Sequence, residues 1–176
     1  MSFKLNISKF LSNTWFIAGV LLAMFLITNR YIYGWDDQHL EIPLLKHLID
    51  PALFTGDYYV ESLKNNFTSV LYPVLARLIK VEQVPAAYLV LFLFSRYFLF
   101  YWSYRLWEKI SGKKFVAFAC TAALFLIGRP EDFIFRTFSH TEFSFIFVFA
   151  GLYYFYCARY LAASLLFGLA ANFHAI

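Results

Sequence analysis

Long apolar runs separated by short polar segments dominate the pattern of this chain. They occupy residues 10–29, 83–104, 115–128, 143–158 and 160–176. A helical run of about 20 residues crosses a hydrocarbon layer about 30 Å thick, because each residue advances about 1.5 Å. The third and fourth runs are shorter, and we expect flanking residues to extend them. The pattern predicts an all-α fold: one membrane domain, 1–176, in which about five transmembrane helices form a polytopic bundle.

Composition also favours a membrane protein. Hydrophobic residues make up 61% of the chain and charged residues 15%, whereas soluble domains carry roughly 25% charged residues. Aromatic residues reach 23%, as is typical of lipid-facing helices with Tyr and Trp near the interfaces. The net charge of +4 comes from scattered basic residues. Membrane lipids are therefore predicted partners, and nucleic acid is not.

Basic residues fall in alternate connections between the apolar runs. They precede the first run, occupy the segment 105–114 between the second and third, and recur at Arg159 between the fourth and fifth. Cytoplasmic connections carry the excess of Lys and Arg, so these segments and the N-terminus are predicted to be cytoplasmic. The segments 31–83 and 129–142 hold ten of the 11 acidic residues. Those two segments are therefore predicted to be external.

The long external segment, 34–83, has helical periodicity of its own. One apolar stripe consists of Leu40, Leu44, Leu45 and Leu48, and a second of Phe67, Val70, Leu71, Val74 and Leu78. Asp50-Pro51 is typical of a helix start, with Asp as the N-cap and Pro at the first helical position. Spacings of three and four residues indicate amphipathic helices. We therefore predict two interfacial helices in this segment.

Acidic, imidazole and guanidinium side chains gather on the predicted external face. Asp36 and Asp37 directly follow the first run, and a carboxylate at a membrane boundary can act as a general base on a lipid-borne substrate. These two are the candidate catalytic residues, and a solvated loop cap is the alternative. The candidate substrate-binding residues are Gln38, His39, Glu41, Arg96, Arg129, Arg136, His140 and His174.

The predicted topology brings separate segments to one face of the membrane. Asp37, His140 and His174 lie near the external ends of the first, fourth and fifth runs. We expect at least two of these three side chains to lie within about 10 Å of each other, close enough for direct or water-bridged contact after small adjustments. If these side chains are close together, they form one site that is shared by separate helices.

The arginines allow several interpretations. Arg129 and Arg136 lie where the phosphate of a lipid-linked sugar would sit, and Arg binds phosphate through two parallel hydrogen bonds. Ordinary loop charge is the alternative. Arg96 falls inside the second run, where a charged group usually faces the bundle interior. It could pair with a carboxylate, contact a lipid phosphate or stabilise helix packing.

A metal site is not predicted. The chain has no HExxH spacing, which places two imidazoles on one helix face as metal ligands. His39 and His140, together with Asp37 or Glu41, leave a divalent ion as an open alternative. No other cofactor is indicated by the residues.

Three segments carry a resemblance to a known class of enzymes. They are Asp37-Gln38, the segment 40–58 with Leu-Glu-Ile-Pro-Leu-Leu and Ile-Asp-Pro-Ala-Leu-Phe-Thr-Gly-Asp-Tyr, and the segment 159–174 ending in Asn-Phe-His. They resemble bacterial polytopic proteins of the glycosyltransferase C class, most closely the uncharacterised members. The resemblance implies an inner-membrane protein, a sugar on a polyprenyl phosphate as substrate, and an acidic catalytic role for Asp37 and Asp36. The class has about seven spans, so with five we expect an N-terminal part completed by further chain or a partner subunit.

Two functions of different kinds follow. The first is a membrane glycosyltransferase, or its N-terminal part, that transfers a sugar from a polyprenyl-phosphate donor on the external face. The alternative is a non-enzymatic membrane protein, either a transporter fragment or an accessory subunit. A charged residue within a span, such as Arg96, is also typical of transport pathways.

Overall fold

The structure, a computed structural model, describes residues 13–66, 69–126 and 136–174. Within these ranges the chain is helical, with turns between the helices and without a strand. The α-helices are α1 (Thr14–Thr28), α2 (Gln38–Ile49), α3 (Tyr58–Asn66), α4 (Leu71–Leu78), α5 (Val84–Ser111), α6 (Lys114–Leu126), α7 (His140–Tyr156) and α8 (Tyr160–Phe173). The predicted all-α fold is confirmed.

Helix α5 has 28 residues. With the preceding 3₁₀ turn it forms the one stretch of the described residues, Val81–Ser111, that is long and apolar enough to cross a membrane. Gly112 caps the C-terminal end of α5, and its φ of 67° is a left-handed conformation that glycine adopts without steric cost. Helices α1 and α8 and the Lys114–Ala123 part of α6 are apolar but shorter. The bundle of five spans therefore stays a prediction.

Aromatic packing around α5 forms the core. Helix α5 packs against α1, α6 and α7, and α7 packs against α8. Phe25 of α1 meets Phe92 and Phe100 of α5, with ring centroids 6.2 and 5.7 Å apart. At the α7–α8 contact, a Cβ added to Gly151 would lie 2.7 Å from the Phe167 ring. Glycine thus allows these two helices to approach closely.

The described part of segment 34–83 contains three α-helices where two helices were predicted. Helix α2 covers the first apolar stripe. The helix start predicted at Asp50-Pro51 is wrong, because Asp50 ends α2 and its carboxylate accepts a hydrogen bond from the N–H of Ala52, 3.0 Å away, in the following turn. Helix α3 begins after Asp57 instead. The Asp57 carboxylate accepts hydrogen bonds from two backbone N–H groups at the start of α3, as an N-cap does.

Helix α4 buries a different face from the one its sequence predicted. Leu71, Tyr72 and Leu75 are buried, whereas Val74 and Leu78 of the predicted stripe are 50% and 72% exposed. The buried face is the one available to α2, against which α4 packs. The outward apolar side chains are those that an interfacial helix would present to lipid.

Two backbone hydrogen bonds tie the chain before α2 and the chain before α4 to the segment that precedes α7 and to the end of α8. The N–H of Ile32 donates to the carbonyl of Arg136, 2.8 Å away, and the N–H of Val70 donates to the carbonyl of Asn172, 3.3 Å away. These bonds bring four segments that are distant in sequence to one end of the fold. The candidate site lies at that end.

Candidate functional site

A buried carboxylate and an imidazole form the centre of the site. Nδ1 of His140, the first residue of α7, lies 2.6 Å from Oε1 of Glu41 in α2. The side chain of Glu41 is 1% exposed and that of His140 is 13% exposed. With Glu41 ionised, the Nδ1–H of His140 donates to the carboxylate, which fixes the tautomer and leaves Nε2 as the basic nitrogen. His140 is thus the member of the pair that a substrate can reach.

His174 completes an imidazole pair. Its ring centroid lies 4.9 Å from that of His140, and its Nδ1 lies 3.3 Å from Oγ1 of Thr141. Burial lowers the pKa of His174 below its usual range, and His140 lowers it further, while the negative charge of Asp37 acts in the opposite direction. The predicted proximity of His140 and His174 is confirmed.

Tyr72 of α4 forms a wall of the site. Its ring is fully buried and its centroid lies 6.0 Å from that of His140, in an edge-on arrangement. Burial and the negative charge of Glu41 raise the pKa of Tyr72 well above its usual range. The phenol therefore stays protonated at neutral pH and can donate a hydrogen bond.

Gln38 holds α2 against the start of α7. Its Nε2 donates to the carbonyl of Phe138, 2.8 Å away, and its Oε1 accepts from the N–H of Gly34, 2.7 Å away. Only 1% of Gln38 is exposed. Gln38 was a candidate for substrate binding, and the structure gives it a positioning role beside Glu41, one turn further along α2.

Arg96 forms an ion pair with Glu142, and both side chains are buried. The Nη2 of Arg96 also donates to the carbonyl of Thr137, 3.1 Å away, and its guanidinium lies 5.0 Å from the ring centroid of Phe92. Of the interpretations left open by the sequence, pairing with a carboxylate is the one observed. The second oxygen of Glu142, Oε2, has no hydrogen-bond partner within the described ranges.

The ion pair and the site are adjacent along α7. Glu142 follows His140 by two residues, and the carboxylates of Glu41 and Glu142 are close enough to repel each other. Arg96 pairs with one buried carboxylate, and His140 forms a hydrogen bond with the other. A buried charge is costly unless paired, so the two pairs favour one arrangement of α2, α5 and α7.

Other predicted residues lie at the edge of the site. Asp36, Asp37 and His39 are exposed. Asp37 precedes α2, and its carbonyl accepts the N–H groups of Leu40 and Glu41. Its carboxylate acts electrostatically on His174, so it lies near the imidazole pair. The candidate catalytic carboxylates thus border the buried cluster without being part of its core.

The structure describes one of the two arginines that were predicted to bind phosphate. Arg136 lies directly before the segment that leads into α7, and its side chain is half-buried. Arg129 lies outside the described residues, as do Glu131 and Asp132. Their roles stay predictions.

Sequence reasoning missed Tyr72 and Thr141. Tyr72 interrupts the apolar stripe of α4, and a polar tip on a buried face is a signal that could have marked it. Thr141 carries no such signal, because its contact with His174 depends on how α7 and α8 pack. No three or more His, Cys, Asp or Glu side chains in the described part of the chain are arranged to hold a metal ion.

An apolar cavity adjoins the imidazole pair. Its volume is about 280 Å³, and it lies between α7 and α8 with His174 in its wall. The other lining residues are Ser144, Phe145, Val148, Phe167, Ala170 and Ala171. A cavity of this size and chemistry can take a short length of hydrocarbon chain, with a polar group placed at His174.

The site thus combines a carboxylate–imidazole pair, a second imidazole, a neutral phenol and an apolar cavity. These groups can accept a proton, donate hydrogen bonds and hold an apolar chain beside the polar centre. Comparison of the chain with protein-family models, with curated proteins and with solved structures found no match.

Proposed function

We propose that this chain belongs to a polytopic membrane glycosyltransferase of the glycosyltransferase C type. It transfers a sugar from a polyprenyl-phosphate donor to an acceptor hydroxyl on the external face of a bacterial inner membrane. The observation that carries the proposal is the cluster of Glu41, His140 and His174, at the end of the fold that the distribution of basic residues makes external.

The apolar cavity supports a lipid-linked substrate. It runs from His174 between α7 and α8, so a polyprenyl chain in it would place its phosphate beside the imidazole pair. Arg136 is positively charged and lies within the predicted external segment 129–142. Of the two predicted phosphate-binding arginines in this segment, it is the one that the structure describes. Residues that bind both the chain and the phosphate would orient the anomeric carbon for attack.

The chemistry requires one proton acceptor. Nε2 of His140, whose ring is oriented by Glu41, removes the proton from the acceptor hydroxyl. The acceptor oxygen bonds to the anomeric carbon as the bond from that carbon to the phosphate oxygen breaks. The polyprenyl phosphate leaves with the electron pair of that bond, and nearby cationic groups stabilise its charge.

Asp37 is the second candidate base, on the strength of the resemblance in segment 37–58. Its side chain is exposed, and its negative charge acts on His174. The imidazole of His140 is the better-positioned group, because its contact with the Glu41 carboxylate fixes the orientation of the ring. Removing each group separately distinguishes the two candidates.

The direct test is transfer of a labelled sugar from a polyprenyl-phosphate donor by the purified protein in lipid nanodiscs. Transfer that depends on Glu41 and His140 would support the proposal. Absence of transfer by a well-folded chain, both alone and completed by any remaining part, would favour the non-enzymatic alternative. The buried Arg96–Glu142 pair motivates that alternative, since paired charges inside a bundle also occur in transport pathways.

A further inference from the structure

A second polar pocket lies at the opposite end of α7 from His140. It is a cavity of about 320 Å³ between α5 and α7 and the turn that follows α7. Tyr153 lies 13 residues after His140 along α7, so the pocket is about 20 Å from the imidazole pair at about 1.5 Å per residue. It is therefore a separate site.

Two arginines and a group of aromatic rings line this pocket. The residues are Tyr101, Trp102, Arg105, Tyr153, Tyr154 and Arg159. Arg105 is oriented by Tyr153: its Nη2 donates to the phenol oxygen 2.6 Å away, and its guanidinium lies 5.1 Å from the ring centroid. A guanidinium fixed in this way keeps its remaining N–H donors pointing in set directions.

The turn after α7 places the second arginine. Ala158 has a left-handed φ of 57°, and the N–H of Arg159 donates to the carbonyl of Tyr154, 2.9 Å away. This compact turn brings Arg159 back to the pocket wall formed by α7. The position of Arg159 is thus set by backbone hydrogen bonds rather than by a flexible loop.

The surrounding charge is positive. A neighbouring hollow shares Arg105 and Tyr153 and adds Glu108 and Lys109. Glu108 lies 4.0 Å from Arg105 and offsets part of its charge. Together the pocket and the neighbouring hollow contain three cations, Arg105, Lys109 and Arg159, and one carboxylate, which leaves an excess of two positive charges for an anion.

We propose that this pocket binds the phosphate of an anionic phospholipid headgroup. Tyr and Trp concentrate at membrane–water interfaces, and basic pockets between helices on the cytoplasmic side bind anionic headgroups. The two arginines contact the phosphate oxygens, and the rings of Trp102 and Tyr101 border the start of the acyl chains. The inference rests on the proposed membrane location and orientation, but not on the sugar-transfer chemistry.

Native mass spectrometry of the purified 176-residue chain tests the proposal. Phosphatidylglycerol and phosphatidylcholine with identical acyl chains are compared, and inorganic phosphate is added in a separate arm. We expect wild-type protein to retain phosphatidylglycerol preferentially. Each charge-assisted contact is worth about a tenfold change in affinity, so Arg159→Gln should weaken retention about tenfold and Arg105→Gln with Arg159→Gln about a hundredfold.

Matched variants make the result specific. Lys114→Gln removes a positive charge at an exposed position outside the pocket, and it should retain the lipid as wild type does. Because Arg159 is exposed, Arg159→Gln should fold even if Arg105→Gln does not. Equal retention of both lipids, or retention unaffected by Arg159→Gln, would overturn the proposal. Arginine-dependent binding of inorganic phosphate without retained lipid would overturn the lipid assignment.

The experiments distinguish a failure of the lipid-binding proposal from a failure of the proposed sugar transfer. Glu41→Gln alters the distant cluster and should leave retention of phosphatidylglycerol unchanged. Lipid retention without sugar transfer would therefore separate the two proposals.

Discussion

Nδ1 of His140 lies 2.6 Å from Oε1 of Glu41, although 99 positions separate the two residues in sequence. The contact joins α2 to the start of α7 in a place where both groups are largely shielded from water. A buried carboxylate is stable only when it is paired and hydrogen-bonded. The contact therefore fixes the arrangement of the site and also orients the imidazole that we propose as the proton acceptor.

Glu41→Gln should lower the rate of sugar transfer by up to about 10⁴-fold, because a neutral amide no longer stabilises the protonated imidazole and can hold the ring in the wrong tautomer. The measurement is single-turnover transfer from a polyprenyl-phosphate donor, with a melting curve in parallel. Glu82→Gln, which removes an exposed carboxylate before α5, is the control and should retain the wild-type rate. Unchanged transfer by Glu41→Gln would exclude the pair from the mechanism.

Asp37→Asn distinguishes the two candidate bases. If His140 is the base, the loss of this exposed carboxylate should reduce transfer by less than about tenfold, whereas loss of a general base typically costs about 10²–10⁴-fold. The melting temperature should change little, because Asp37 contributes its backbone carbonyl to α2. A loss as large as that of Glu41→Gln would assign the base to Asp37 instead.

His174 should make stability depend on pH. Its pKa is lowered in the folded state, chiefly by burial and by His140, while Asp37 opposes the shift. The unfolded state then binds more protons, so the contribution is complete above the ordinary value of about 6.5 and is lost as pH falls through the lowered pKa. The difference in melting temperature between wild type and His174→Gln, which isolates this contribution, should shift against wild type as the pH is lowered from 7 to 5.

The controls for this pH dependence are histidine variants. His174→Gln should lack the loss of stability that His174 contributes at acidic pH, and His39→Gln, at an exposed position, should keep the wild-type profile. The measurement is the melting temperature of each protein at several pH values in the same detergent. Identical profiles for wild type and His174→Gln would contradict the assignment.

The buried pair of Arg96 and Glu142 should show strong coupling. Glu142→Leu removes the carboxylate partner of a buried guanidinium, which should cost about 3–5 kcal/mol of stability. Arg96→Met combined with Glu142→Leu removes both charges and should be less destabilising than Glu142→Leu alone. The measurement is the free energy of unfolding by denaturant. A double variant less stable than the single one would contradict the ion-pair interpretation.

Membrane orientation is testable by cysteine labelling. Cys120→Ala and Cys157→Ala first remove the native thiols, and then Asn65→Cys in α3 or Lys113→Cys after α5 introduces one exposed thiol. In intact cells an impermeant reagent should label Asn65→Cys and leave Lys113→Cys unlabelled. The reverse pattern would place the site cluster on the cytoplasmic side and remove the external-face argument.

The sequence by itself determined the all-α fold, because the length and spacing of apolar runs reflect the period of a helix. It also predicted the proximity of His140 and His174, since alternation of basic connections places the ends of separate helices on one face. It failed at Asp50-Pro51, where the same two residues that favour a helix start also suit the turn that ends α2. Local propensity does not distinguish these two uses of an Asp-Pro pair.

Only the tertiary structure decided which polar groups meet. Arg96 could have faced lipid phosphate or a carboxylate, and the packing of α5 against α7 selected Glu142. Tyr72 and Glu41 enter the site because α4 and α2 each rotate one face toward the start of α7. The orientation of each helix is set by its packing against several other helices and by the cost of leaving a buried charge unpaired. Neither effect can be calculated from the spacing of residues within one helix.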